Sequence, residues 1–166
     1  MTLTIARVRT GTPELSGFLA DHLRDLEPTA PPESRHARPL AALLCPDVRL
    51  FAVTLDGVLA GTGALAALEP DHEELKSMRT APSFRGRGVA VALLRALLAD
   101  ARARGIQRVS LETGSSDFFR PARRLYERAG FRPSGPFGGY APDPHSVFLT
   151  LALAPAPDRA SVMMAG

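Results

Sequence analysis

Arg85-Gly86-Arg87-Gly88-Val89-Ala90 lies between a segment of strand character and a long helical run. Glu73 to Thr80 reads as the strand, closed by Ala81-Pro82. From Gly88 to Arg104, Val89, Leu93, Leu94, Leu97, Leu98 and Ala101 recur at helical spacing, and Gly105 supplies the stop. A strand therefore passes into a helix through a turn of alternating arginine and glycine. The first amides of a helix have no internal partner and point outward, and the helix dipole adds partial positive charge there. Glycine lets an anion approach the backbone closely. Arg85 and Arg87 add charge-assisted contacts. The stretch reads as an anion site, although an ordinary glycine-rich turn has the same local form.

On the N-terminal side, Thr2 to Val8 alternates apolar and polar residues and predicts a first strand. Thr12-Pro13-Glu14 opens a helix with a capping hydroxyl, a proline in the first turn and an acid. Pro28 to Pro32 breaks that helix, and a second short one is predicted over Ser34 to Leu44. Val48 to Leu55 and Val58 to Leu68 are strands joined by Asp56-Gly57, a hairpin signal. On the C-terminal side come a strand, Ile106 to Glu112, and a helix, Ser116 to Ala129, ended by Gly130. A last strand covers Ser146 to Leu153. The fold class is α/β: a meander of strands, then strand-helix-strand-helix, forming a mixed sheet with packed helices.

The 166 residues suit one domain, expected over 1–154, with a disordered tail over 155–166. No run is long and apolar enough to span a membrane, and no basic segment followed by an apolar one opens the chain. A cytoplasmic location is the expectation. Cys45 is the one cysteine, which excludes an internal disulfide framework, and the four histidines show no metal-ligand spacing. Net charge is +3, and arginine alternates with acids along the helical stretches. Tryptophan is absent, so a basic stripe interleaved with aromatics, the mark of a nucleic-acid binder, is not seen.

Known anion-loop patterns narrow the turn. The Walker spacing is absent. Val91 stands where a dinucleotide fingerprint needs its third glycine. Arg85-x-x-Gly88-x-Ala90 fits an acyl-CoA cradle of form Gln/Arg-x-x-Gly-x-Gly/Ala. Met78-Arg79-Thr80-Ala81-Pro82 precedes it, and Leu125-Tyr126-Glu127-Arg128-Ala129-Gly130-Phe131 follows after one strand. In these motifs the chain resembles the GNAT superfamily of N-acetyltransferases. The segments Glu74 to Thr80, Leu111 to Ser115, Pro121-Ala122-Arg123, Pro136-Phe137 and Ser146-Val147-Phe148, with Tyr140 and Asp143-Pro144, resemble its YsnE-like bacterial branch.

The resemblance implies a mostly antiparallel central sheet whose fourth and fifth strands splay, with acetyl-CoA as cofactor in the gap. The backbone at Met78, Arg79 and Thr80 would pair with the pantetheine arm. Arg85, Gly86, Arg87, Gly88, Val89, Ala90 and Val91 would hold the pyrophosphate. It implies direct acetyl transfer to an amine in a ternary complex, with Tyr126 as general acid. Glu112 and Glu74 are both candidate bases, directly or through water. Phe119 stands where the family often has an asparagine, and the segment from Glu112 to Tyr126 is long, so the base and specificity of peptide-acetylating members are not carried over. Arg35, Phe137 and Tyr140 are candidate acceptor-site residues, with His36 and His145 beside them. The expected partner is a small amine or amino-acid derivative, and the chain a monomer or homodimer. A non-catalytic acyl-CoA-binding module and a protein or peptide acetyltransferase are the alternatives.

Overall fold

The computed structural model describes residues 1–155. The chain runs through β1 (Leu3–Val8), α1 (Pro13–Leu26), α2 (Leu40–Leu43), β2 (Val48–Leu55), β3 (Val58–Glu69), β4 (His72–Thr80), α3 (Val89–Ala103), β5 (Arg108–Gly114), α4 (Arg120–Arg128), β6 (Arg132–Pro133) and β7 (Ser146–Ala152). Short 3-10 turns lie at Glu27–Thr29, Pro32–Ser34, Pro82–Phe84 and Asp117–Phe119. The strands form one seven-stranded sheet in the order β1-β2-β3-β4-β5-β7-β6. Each neighbouring pair is antiparallel except β4 with β5.

Local chemistry explains the main boundaries. The Thr12 hydroxyl accepts from the Leu15 amide at 3.2 Å, and Pro13 occupies the first turn of α1, where a missing N–H costs nothing. Asp56 and Gly57 both adopt positive φ, as the tight turn between β2 and β3 requires. The helix predicted over Ser34 to Leu44 shrinks to a 3-10 turn ending at Ser34 and to α2. Pro39 is the reason, since it disfavours helical geometry at Arg38 and lacks an amide of its own. The helix predicted from Ser116 begins as a 3-10 turn and becomes α-helical at Arg120, which puts Pro121 in the first turn. The expected tail runs from Pro155 into residues 156–166, which lie outside the described residues.

Helices cover both faces. One core joins Val53, Leu65, Leu75, Val109, Leu111 and Leu149 to α3 and to Tyr126 of α4. The other joins Leu50, Ala64 and Ala66 to α1 and α2. Within β3, Leu65 faces the first core while Ala64 and Ala66 face the second, as the two-residue period of a strand dictates. Among the described residues, no helix is long and apolar enough to cross a membrane.

The feature that positions the site is a parting of strands. β4 pairs with β5 only from His72↔Arg108 to Leu75↔Leu111. Beyond Leu75 the two separate. β4 carries an extra residue there: Thr62 pairs with Arg79 and Ala64 with Lys76, so three steps on β4 answer two on β3. Ser77 takes φ +54 within this bulge, and its carbonyl accepts from the Thr62 hydroxyl at 3.0 Å. Gly63 lies beneath. A Cβ there would meet Met78 Sδ at 2.7 Å and Leu97 Cδ1 at 2.9 Å, so a larger residue would push these two side chains aside.

Candidate active site

The gap between β4 and β5 opens into a cleft. Its walls include Leu75, Ser77 and Met78 from β4, Glu112 and Thr113 from β5, and Tyr126 from α4. The segment after α1 and the loop before β7 close one end with Arg35, His36 and Tyr140.

At the start of α3, Gly86 and Gly88 have φ +76 and +79, a region that L side chains rarely adopt. A Cβ at either would meet nothing within 4 Å, so it is backbone conformation rather than packing that demands glycine. Gly88 caps the helix without a side-chain hydrogen bond, leaving the amides of Val89, Ala90 and Val91 without an intrahelical acceptor. The Val89 side chain is buried and anchors this first turn, while Val91 is exposed. Arg85 and Arg87 are exposed beside it, the Arg87 guanidinium lying 5.5 Å from the Phe84 ring centre. These groups fit an anion such as a pyrophosphate.

Beyond Leu75 the edge of β4 that faces β5 has no strand paired to it, the kind of edge to which an extended ligand can add. The Arg79 side chain points elsewhere. It donates to Asp25 on α1 at 2.5 Å and lies over the Phe18 ring at 5.2 Å, so it fastens α1 to the sheet. His22 stands near it, and burial together with Arg79 pushes its imidazole down to about 4.

Tyr126 is 6% exposed and packs edge-on against Phe131. Burial pushes its phenol above the ordinary tyrosine value, which keeps it a proton donor. Across the cleft, burial pushes the Glu112 carboxyl upward, with Ser146, His36 and Lys76 acting in the opposite direction.

Glu74 is held more tightly. Tyr140 Oη donates to its Oε2 at 2.5 Å, and Lys76 Nζ donates to the same oxygen at 3.2 Å and to Tyr140 Oη at 2.9 Å. Both charged side chains are nearly inaccessible. Burial, then the hydrogen bond to Glu74, push the Tyr140 phenol up. The neighbouring Glu73 faces the other way and forms two hydrogen bonds with Arg104, at 2.6 and 2.9 Å. His72 meets the Ser110 hydroxyl at 2.7 Å.

The remaining expected acceptor residues separate. Arg35 lines the cleft with its Nε buried and without a hydrogen-bond partner. His36 meets Tyr140 edge to face, ring centres 4.8 Å apart. Phe137 is not a wall of the cleft. It backs Tyr140 at 5.1 Å and Phe148 at 5.9 Å. Phe119 is a wall and lies so close to Gly114 that a Cβ there would overlap its ring.

Sequence reasoning passed over Lys76 and the bond from Ser34 Oγ to Asp143 Oδ2 that ties the two closing segments together. The first was accessible, because residues two apart on a strand share a face. The second joins positions 109 apart, with no local signal. Among the described residues, no group of three or more His, Cys, Asp or Glu is placed to hold a metal ion.

Comparison with known proteins agrees with this geometry. Residues 18–131 match the model of the acetyltransferase (GNAT) family. The chain is 44% identical over 140 residues to an uncharacterized N-acetyltransferase of Bacillus subtilis, YsnE, covering 84% of this chain and 93% of that one. It is 43% identical over 141 residues to an uncharacterized N-acetyltransferase of Escherichia coli, YedL, covering 85% and 89%. Among solved structures, a Klebsiella pneumoniae protein described as an acyl-CoA N-acyltransferase superposes with a TM-score of 0.72 at 29% identity, over 92% of this chain and 98% of that one. A GNAT family acetyltransferase of Elizabethkingia anophelis with acetyl-CoA bound superposes at 0.65 with 20% identity, over 91% and 98%.

Proposed function

Since the chain belongs to the GNAT acetyltransferase family, we propose that it moves an acetyl group from acetyl-CoA to the amine of a small molecule or amino-acid derivative. The observation that carries this reading is the parting of β4 from β5 beside a helix start with unpartnered amides. Acetyl-CoA is the ligand of the Elizabethkingia relative, and its two ends suit these two features. The amides of Gly86 through Val91, with Arg85 and Arg87, hold the pyrophosphate. The β4 backbone at Met78 and Thr80 orients the pantetheine arm.

Bound acetyl-CoA supplies the activated thioester, and the side chains manage protons and position. Glu112 accepts the proton that the acceptor amine must lose before it can attack. An upward-shifted carboxyl suits that task, because its proton affinity moves toward neutral pH. Glu74 is the second candidate, but its Oε2 already receives Tyr140 and Lys76, so Glu112 is the freer base. Tyr126 gives its phenolic proton to the departing sulfur and recovers one from solvent. The cleft also holds the two reactants together, which lowers the entropic part of the barrier.

Thiol release from acetyl-CoA, measured over a panel of small amines, tests this. Turnover is expected with the native chain, with kcat lower by about 100-fold in Tyr126→Phe and CoA binding retained. CoA binding without turnover on any amine points to a non-catalytic binding module. Turnover confined to peptides points to a peptide acetyltransferase.

A further inference from the structure

Pairing the charges of the cleft among themselves leaves a remainder. Lys76 and Glu74 form an ion pair and share Tyr140. Arg79 belongs to Asp25. Of the carboxylate, guanidinium and ammonium groups that line the wall, Arg35 and Glu112 are left outside an ion pair. Among the described residues, the Arg35 guanidinium has no ion pair, and its Nε is buried without a hydrogen-bond partner. A guanidinium without an ion pair is costly to desolvate, and Arg35, half-buried rather than sealed, still has surface to present to a ligand oxygen. Arg35 also lies on the segment tied to the opposite loop by Ser34 and Asp143, and its neighbour His36 packs on Tyr140. The guanidinium is thus mounted on a braced strap rather than a free end.

We infer that Arg35 is the specificity-determining residue of the acceptor site, and that the acceptor is an amine that also carries a carboxylate, bound with its carboxylate on Arg35 and its nitrogen toward Glu112. A guanidinium presents two parallel N–H groups that match the two oxygens of a carboxylate. An acceptor of that kind brings one positive and one negative group, and the cleft offers one unpaired group of each sign. This inference rests on the acetyl-transfer reading for its chemistry but not for its binding geometry.

Matched acceptors test it: amino acids against the methyl esters and decarboxylated amines made from them, assayed with acetyl-CoA. The free carboxylates should be preferred in kcat/KM by about 10- to 100-fold, the range of a charge-assisted hydrogen-bonded pair. Arg35→Gln should collapse that preference toward one, mainly through KM, and Arg35→Lys should restore part of it. Arg38→Gln removes the same charge from an exposed position three residues on, and should keep the preference. Equal preference in the native chain and Arg35→Gln overturns the inference, as does indifference of the native chain to the carboxylate.

Calorimetric titration of the CoA-loaded protein with the same acids and esters separates the two readings. If no amine is acetylated while acids bind more tightly than esters in an Arg35-dependent way, acetyl transfer fails and the carboxylate site stands. If amines are acetylated and acids and esters bind alike, the carboxylate site fails and acetyl transfer stands.

Discussion

Glu112 illustrates how much a single side chain's surroundings decide. Burial raises its carboxyl above the unfolded value, while Ser146, His36 and Lys76 only moderate the rise. An acid whose folded value is raised binds more protons in the native state than in the unfolded chain, between the two values. Stability therefore falls as pH climbs through that window. Glu112→Gln mimics the protonated form at every pH. Its melting temperature, compared with the native chain, should be nearly equal at pH 4 and should gain as pH rises to 8, while acetyl transfer is lost. A melting difference that stays flat with pH would remove the burial effect, and with it the physical case for Glu112 as the tuned base. Glu74 shows the contrary arrangement, a carboxylate already engaged by a phenol and an ammonium.

Among the elements, the N-terminal end of α3 is the one proposed to hold the pyrophosphate of the cofactor. Gly88→Ala and Gly88→Glu both force a side chain onto a left-handed backbone, so each should cost about 1 kcal/mol of stability. Only the glutamate also brings negative charge to the exposed amides. CoA binding should weaken moderately in the alanine variant and vanish in the glutamate variant, by calorimetry. Equal binding in the two would take the anion away from this turn. The turn that opens α3 was legible in sequence because all of its parts are contiguous: two glycines, two arginines and the helical run behind them. The Asp56-Gly57 turn and most strand boundaries were legible for the same reason, although β5 lies two residues beyond the expected Ile106 to Glu112. The second helix was legible only in part, because the proline at position 39 confines the α-helical turn to Leu40–Leu43. The Glu74–Lys76–Tyr140 cluster was only half legible. The strand period unites its first two members, but Tyr140 arrives from a loop 64 residues beyond Lys76. Phe137 was named for its place in that loop, and its position behind Tyr140 follows from packing that sequence does not display.

Across the whole molecule, adjacent acids on β4 serve opposite faces of the sheet. Glu73 belongs to a network in which Arg104 also meets Asp100, and Asp100 meets Arg49 of β2. This network binds the end of α3 to the sheet away from the cleft. Arg104→Ala would strand Glu73, which is 5% exposed. We expect a loss of about 2–3 kcal/mol in chemical denaturation, with CoA affinity retained. A variant that lost CoA affinity at full stability would mean that the two faces are coupled. The same two-sidedness constrains how this chain can vary over descent. A strand reverses its faces with every single-residue slip. One residue gained or lost between Glu69 and His72 would send Glu73 into the cleft and Glu74 toward Arg104, exchanging structural support for site chemistry in one step. The loop between β6 and β7 carries no such parity. Lengthening or shortening it would reshape the acceptor end of the cleft while leaving the cradle on α3 in place. Insertions and deletions that alter acceptor choice should therefore accumulate in the β6–β7 loop, while the turn between β3 and β4 keeps its length.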